Sequence, residues 1–175
     1  MLTIVIVLVG AVLLVFGLTA LTGAPYVPTH KKELDHLFDE LYPLKPDDTL
    51  LDIGSGDGCV LAAVCEKGGR AIGYEINPFL VIVSSIRLRK FRGRAQVLLR
   101  DFWRTEIPSQ TTVVYTFGES RDILKMYKKV EKEATRLDKD IYFISYGFEV
   151  PDHATERSYR AHHLYRISPL HTSEA

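Results

Sequence analysis

A chain of 175 residues is long enough for one domain with a sizeable core plus an appendage. Its 22 Lys and Arg balance 22 Asp and Glu, so bulk charge singles out no partner. The two cysteines, Cys59 and Cys65, lack metal-ligand spacing and read as small buried thiols.

From Met1 to Pro28 there is no charged side chain, and Leu2 to Leu21 contains 14 Leu, Ile, Val or Phe residues. At a rise of about 1.5 Å per residue, about 20 such residues match a hydrocarbon core of about 30 Å. Roughly −0.3 to −0.6 kcal/mol for each large apolar residue makes insertion favourable by several kcal/mol. A cleaved signal peptide wants a basic region ahead of Leu2, and a core helix keeps a polar face; neither is present. The expectation is a transmembrane anchor over residues 1–23. Lys31 and Lys32 follow it, so the positive-inside rule puts the remaining chain on the cytosolic side.

Residues 24–43 read as a proline-punctuated connector and a docking helix. Thr29 is a fair N-cap, Leu34, Leu37, Phe38 and Leu41 recur at helical spacing, and Pro43 ends the run. Residues 44–170 then alternate between strands and helices, with 171–175 a frayed tail. Strands are expected over Thr49 to Ile53, Ala71 to Ile76, Ala95 to Arg100, Thr112 to Phe117, Ile141 to Phe148 and Ala161 to Ile167. Helices are expected over Gly58 to Lys67, from Pro78 (capped by Asn77) to about Lys90, and over Asp122 to Leu137. Such alternation predicts a Rossmann-like α/β fold with a mostly parallel sheet and helices on both faces. Only Glu149 to Arg160 joins the last two strands, too short a stretch for a comfortable crossover helix. The C-terminal part is therefore expected to be reduced, with a last strand that is antiparallel or at an edge.

The chemistry concentrates where the first strand breaks, at Leu50 to Gly58, LLDIGSGDG. A strand that ends in glycines and re-enters as a helix builds a ligand site at the carboxyl edge of a sheet. The spacing is G-x-G-x-G rather than the dinucleotide G-x-G-x-x-G, and Asp52 and Asp57 lie beside it. Carboxylates there repel a pyrophosphate and attract a cationic sulfonium compound. Glu75 ends the second strand, where an acid accepts from both hydroxyls of a ribose, and Asp101 ends the third, within reach of an adenine amino group. Three acids on successive strand ends suit S-adenosylmethionine better than NAD. The candidate donor site is Asp52, Gly54, Ser55, Gly56, Asp57, Gly58, Glu75, Asn77, Asp101 and Phe102.

Pro25-Tyr26-Val27-Pro28-Thr29, LDIGSGDG, Gly73-Tyr74-Glu75-Ile76-Asn77-Pro78 and Asp101-Phe102-Trp103 follow one another in order. Together they resemble the small membrane-anchored class I methyltransferases that include the mitochondrial lysine methyltransferases of the ATP synthase c-subunit and the adenine nucleotide translocase. The likeness runs from the anchor to about Gly118. It implies a seven-strand-type class I methyltransferase fold, S-adenosylmethionine as methyl donor and lysines of membrane proteins as acceptors. By position it gives Asp52, Gly54 and Gly56 to the methionine end, Glu75 to the ribose and Asp101 to the adenine. After Phe117-Gly118 the chain reads Glu119-Ser120-Arg121-Asp122, more charged than the family pattern.

A lysine acceptor needs a dry aromatic pocket, for which Tyr26, Phe102 and Trp103 are candidates, with Tyr146 and Glu119 behind them. Tyr26 and Trp103 are the acceptor-pocket residues singled out. A lipid or quinone methyltransferase, or a non-catalytic tethered nucleotide-binding module, would share the donor site. Arg87, Arg89, Lys90, Arg92, Arg94, Arg100 and Arg104 crowd one region. They read either as a solvated helix end or as a contact for anionic lipid headgroups. A nucleic-acid role lacks interleaved exposed aromatics, and no histidine has metal-ligand spacing, so neither nucleic acid nor metal is expected.

Overall fold

The computed structural model describes residues 31–118 and 120–170, together with the isolated positions 1, 3, 6 and 10. The anchor (apart from those positions), the connector with Tyr26, Glu119 and the tail 171–175 lie outside the described residues. Among the described residues no helix is long and apolar enough to cross a membrane.

Among the described residues seven strands form one sheet: β1 Thr49–Ile53, β2 Arg70–Glu75, β3 Ala95–Leu99, β4 Val113–Thr116, β5 Ile141–Tyr146, β6 Arg157–Tyr159 and β7 His162–Ile167. Their spatial order is β3-β2-β1-β4-β5-β7-β6. The first five are parallel, β7 is antiparallel to β5, and β6 is antiparallel to β7. Every residue of the central strand β1 is buried, as covering of both faces demands. One face is packed by α1 (Lys31–His36, continued by a π-turn Leu37–Leu41), α2 (Cys59–Glu66) and the 3-10 turn Leu88–Phe91 that follows α3 (Pro78–Arg87). The other face is packed by α4, Ile123–Leu137, which lays Ile123, Tyr127, Val130 and Ala134 against Val114, Phe143 and Ile167, with Phe102, Ile107 and Val150 in the same cluster.

The sheet holds one strand more than the six read along the chain, in keeping with the seven-strand type that the resemblance implied. Arg157–Tyr159 lies inside the stretch read as a connection, yet it pairs with Leu164 to His162 of β7. The last strand is antiparallel, as expected, but the edge belongs to β6. Arg160 and Ala161 make a two-residue hairpin turn, with Arg160 at φ 53°. No glycine marks that turn, and three residues of mixed polarity carry no periodic signal. β5 reaches β6 without a helix, and Val150 is secured there by donating its N–H to Tyr165 Oη at 2.8 Å.

The chain enters β1 through a buried carboxylate. Asp48 accepts from Tyr42 Oη at 3.0 Å, Lys45 N at 2.8 Å and Thr112 Oγ1 at 2.7 Å, joining α1, β1 and β4. Burial, then the Asp48 charge, push the Tyr42 phenol up from its ordinary value. Asp48→Ala orphans these donors and is expected to cost about 2–4 kcal/mol. It should appear as a lower urea midpoint with an unchanged slope.

Candidate functional site

The glycine loop is stapled to the neighbouring strand. Gly54 N and Ser55 N both donate to the Tyr74 carbonyl, at 2.8 and 3.1 Å, and Gly58 N closes the turn on Ser55 O at 2.9 Å. Gly54, Gly56 and Gly58 have φ of 71°, 55° and 79°, left-handed values that cost a side chain strain. A Cβ on Gly54 would meet nothing within 4 Å, so space is open beside Gly54.

Glu75 is buried at the tip of β2, and both its oxygens are oriented by backbone donors. Gly56 N reaches Oε2 at 2.9 Å and Asn77 N reaches Oε1 at 2.8 Å. Each oxygen keeps a lone pair for a ligand hydroxyl. The Asn77 side chain is spent on capping α3, accepting from Phe79 N at 2.9 Å, so Asn77 serves this site through its amide.

Asp52 is buried, level with Gly73 of β2 and Tyr115 of β4. Burial first, then the charges of Glu75 and Asp57, hold its carboxyl well above the usual range. Asp57 has partners of its own: Arg87 lies 2.6 Å away, and Cys59 N donates to it at 3.2 Å. Asp52 and Glu75 are thus two buried acids that repel one another, an arrangement that a cation relieves. Ser55 Oγ and Ser84 Oγ are buried without a hydrogen-bond partner. They crowd Gly73 and Gly58 respectively, at the base of the same loop. Space beside Gly54, left-handed glycines and two buried acids fit a cationic nucleoside.

The third acid is set apart. Asp101 accepts from Trp103 N at 2.9 Å and sits 3.5 Å from Arg104 Nε, capping the 3-10 turn Phe102–Arg104. Arg100 N donates to Glu75 O at 3.1 Å, so this strand end is tied to the second. Phe102 is buried beneath that edge, and Trp103 stands exposed with its ring centroid 5.3 Å from that of Phe102.

Among the described residues, the aromatics expected near the acceptor fall in two separate places. At the ends of β4 and β5, Phe117 stacks on Tyr146 at 5.0 Å, and Tyr146 Oη donates to Glu33 of α1 at 3.1 Å. The His162 ring lies 4.7 Å from that of Tyr146, and burial pulls its pKa down to about 4, leaving it neutral at pH 7. Trp103 belongs to the end of β3, four strand spacings or about 19 Å from β5. The structure therefore does not bring Trp103 and Tyr146 together. Phe117, His162 and Glu33 carry no signal as a group in the sequence, because they meet only when α1 and β7 pack on the sheet.

Residues 52–157 match the family model described as the ANTKMT methyltransferase domain. The chain belongs to this family. Relatives of the ANTKMT methyltransferase-domain chain include the ATP synthase C-subunit lysine N-methyltransferases of Homo sapiens and Rattus norvegicus. The human protein is 35% identical over 75% of this chain and 56% of its own length. The rat protein is 30% identical over 85% of this chain and 68% of its own. The chain thus spans little more than half of the human relative. Among solved structures, an RNA methyltransferase from Salinibacter ruber in complex with S-adenosyl-L-homocysteine superposes with a TM-score of 0.72. It is 24% identical and is covered over 85% of this chain and 98% of its own, a likeness of fold. The sheet of this family member is accordingly of the Rossmann-like class I methyltransferase type, and its glycine loop and Glu75 fall within the matched domain. Among the described residues no group of three or more His, Cys, Asp or Glu could hold a metal ion.

A carboxyl whose pKa is raised by folding binds its proton more tightly in the folded state. Stability then falls as pH rises from the ordinary carboxyl range through the raised value. Asp52→Asn removes that penalty. The variant is expected to unfold a few degrees higher than the parent at pH 7 without ligand, and to bind a cationic donor more weakly. Thermal scans with and without donor check both signs.

Proposed function

We propose that the chain is an S-adenosylmethionine-dependent methyltransferase that methylates a lysine of a membrane-associated protein. In this reading residues 2–21 span the bilayer and the domain faces the cytosol. The carrying observation is Glu75, aimed by Gly56 N and Asn77 N at 2.9 and 2.8 Å, next to a loop with open space beside Gly54. The names of the human and rat relatives support a protein lysine as acceptor. The charge-free run from Met1 to Pro28 supports the span.

Bound S-adenosylmethionine supplies an activated methyl group and its own thioether leaving group. Glu75 would take the ribose hydroxyls, Asp101 would serve the adenine side, and Asp52 with the glycine loop would hold the amino-acid end. The residues named lie along β3, β2 and β1, neighbours in that order, and β4 is the next strand, where the acceptor would approach. Its path there would pass over Phe117 and Tyr146 with Glu33 behind them, while Trp103 lies toward the adenine side. Taking a proton from lysine, with a pKa near 10.4, costs about 4–5 kcal/mol at pH 7. Aromatic walls attract the ammonium form, and exclusion of water lowers its pKa. Anchoring raises the local concentration of a membrane-bound acceptor, so modest affinity suffices.

Native membranes incubated with the full chain and radiolabelled donor test the reading. Label is expected in protein, on lysine. Label in solvent-extractable material instead identifies a lipid or quinone acceptor, and donor binding without transfer identifies a non-catalytic module.

A further inference from the structure

Helix α3 packs on the sheet mainly through half-buried side chains, Leu80, Val81 and Val83. Only Ser84 among its ten residues is buried, while Phe79, Ile82 and Ile86 are 53%, 59% and 61% exposed. These three fall at i, i+3 and i+7, the spacing by which a helix ordinarily faces a core. Beside them a groove of about 490 Å³ runs between α3 and the outer strand β3, floored by Val81, Ile82, Ile86 and Val97 and rimmed by Arg89 and Arg92.

From Ile76 to Arg100 the chain has six basic side chains and no acidic one. Arg87 and Lys90 are paired, with Asp57 and Glu66. Arg89, Arg92 and Arg100 are exposed, and among the described residues no carboxylate forms an ion pair with them.

We propose that this face, α3 with the edge of β3, lies on an anionic bilayer surface. The Phe79, Ile82 and Ile86 side chains enter the headgroup boundary, and Arg89, Arg92 and Arg100 meet lipid phosphates. Charge decides among the occupants of an apolar stripe. A second copy would bring the same cations and repel. The apolar segment 2–21 has no acid to answer the arginines. The geometry adds to this, resting here on the anchor of the proposed function. Residues 24–30 reach at most about 25 Å, and α1, which begins at Lys31, packs in the same layer as α2 and the turn after α3. Docking by this face opens the donor cleft, at the Asn77 end of α3, along the membrane.

The test uses the full chain in vesicles, with a nitroxide at Ile82→Cys in a Cys59→Ser background. Collision with oxygen against a water-soluble nickel chelate reads its depth. Below-phosphate depth is expected with phosphatidylserine present. Aqueous exposure is expected in pure phosphatidylcholine and in an R89E/R92E variant, whose docked fraction falls at least about tenfold with donor affinity unchanged. Exposure in all vesicles overturns the proposal. So does burial independent of lipid charge and of both arginines, which would mark cover by the chain's own segment, a second copy or another protein. Alkaline extraction of the same vesicles judges the anchor separately, because a docked but unanchored chain washes off while still showing lipid-dependent depth at neutral pH.

Discussion

Glu75→Ala is expected to weaken S-adenosylmethionine binding by at least about 100-fold. Each hydrogen bond to a charged group is worth about 1.5–3 kcal/mol, and the ribose offers two hydroxyls to this carboxylate. The loss has a second component. Gly56 N and Asn77 N, which donate to Oε2 and Oε1, become orphans, and the loop loses its tie to the start of α3. Glu75→Gln keeps one acceptor but turns an amide donor toward a backbone N–H, so a loss of intermediate size is expected. Isothermal calorimetry of the full chain, with circular dichroism to confirm folding, reads both. Affinity in Glu75→Ala equal to that of the parent would remove the donor site from this strand tip.

Gly73→Val is expected to damage stability and donor binding together, although Gly73 offers no side chain to a ligand. A Cβ there would sit 2.7 Å from both Leu61 Cδ1 and Ser55 Cβ, at the seam where the glycine loop and α2 press on β2. Leu61 is fully buried and Ser55 belongs to the loop, so neither can step aside freely. Overpacking of this kind costs about 1–3 kcal/mol, and a branched side chain falls at the upper end. Displacing Ser55 also disturbs the paired amides on Tyr74 O, so the donor affinity should fall about tenfold or more. Thermal unfolding and donor calorimetry on one preparation separate the two effects. A stable variant with normal affinity would show that this seam has slack.

Local chemistry is the legible part. Asn77-Pro78 opens α3 as its residue types require, and Thr49–Ile53 is β1 to the residue, because both signals lie within a few positions of the structure they dictate. What escapes a linear reading depends on distant partners. β6 exists because β7 offers it an unpaired edge, and nothing in Arg-Ser-Tyr announces that. Along the chain Arg87 belongs with a basic cluster, whereas packing sets it on Asp57, thirty positions earlier, and pairs it with one of the acids beside the loop. Chemistry groups Trp103 with Tyr146, and the strand order parts them.

By itself the sequence determined the alternation of elements, the left-handed glycine turn and the acids at strand ends, since each follows from short-range sterics and charge. Only the tertiary structure decided which acids stay buried and unpaired, which aromatics share the end of β4 and β5, and which face of α3 is left to solvent. Those outcomes are set by strand order and by layers closing over one another, and a linear pattern holds no record of which side remains uncovered.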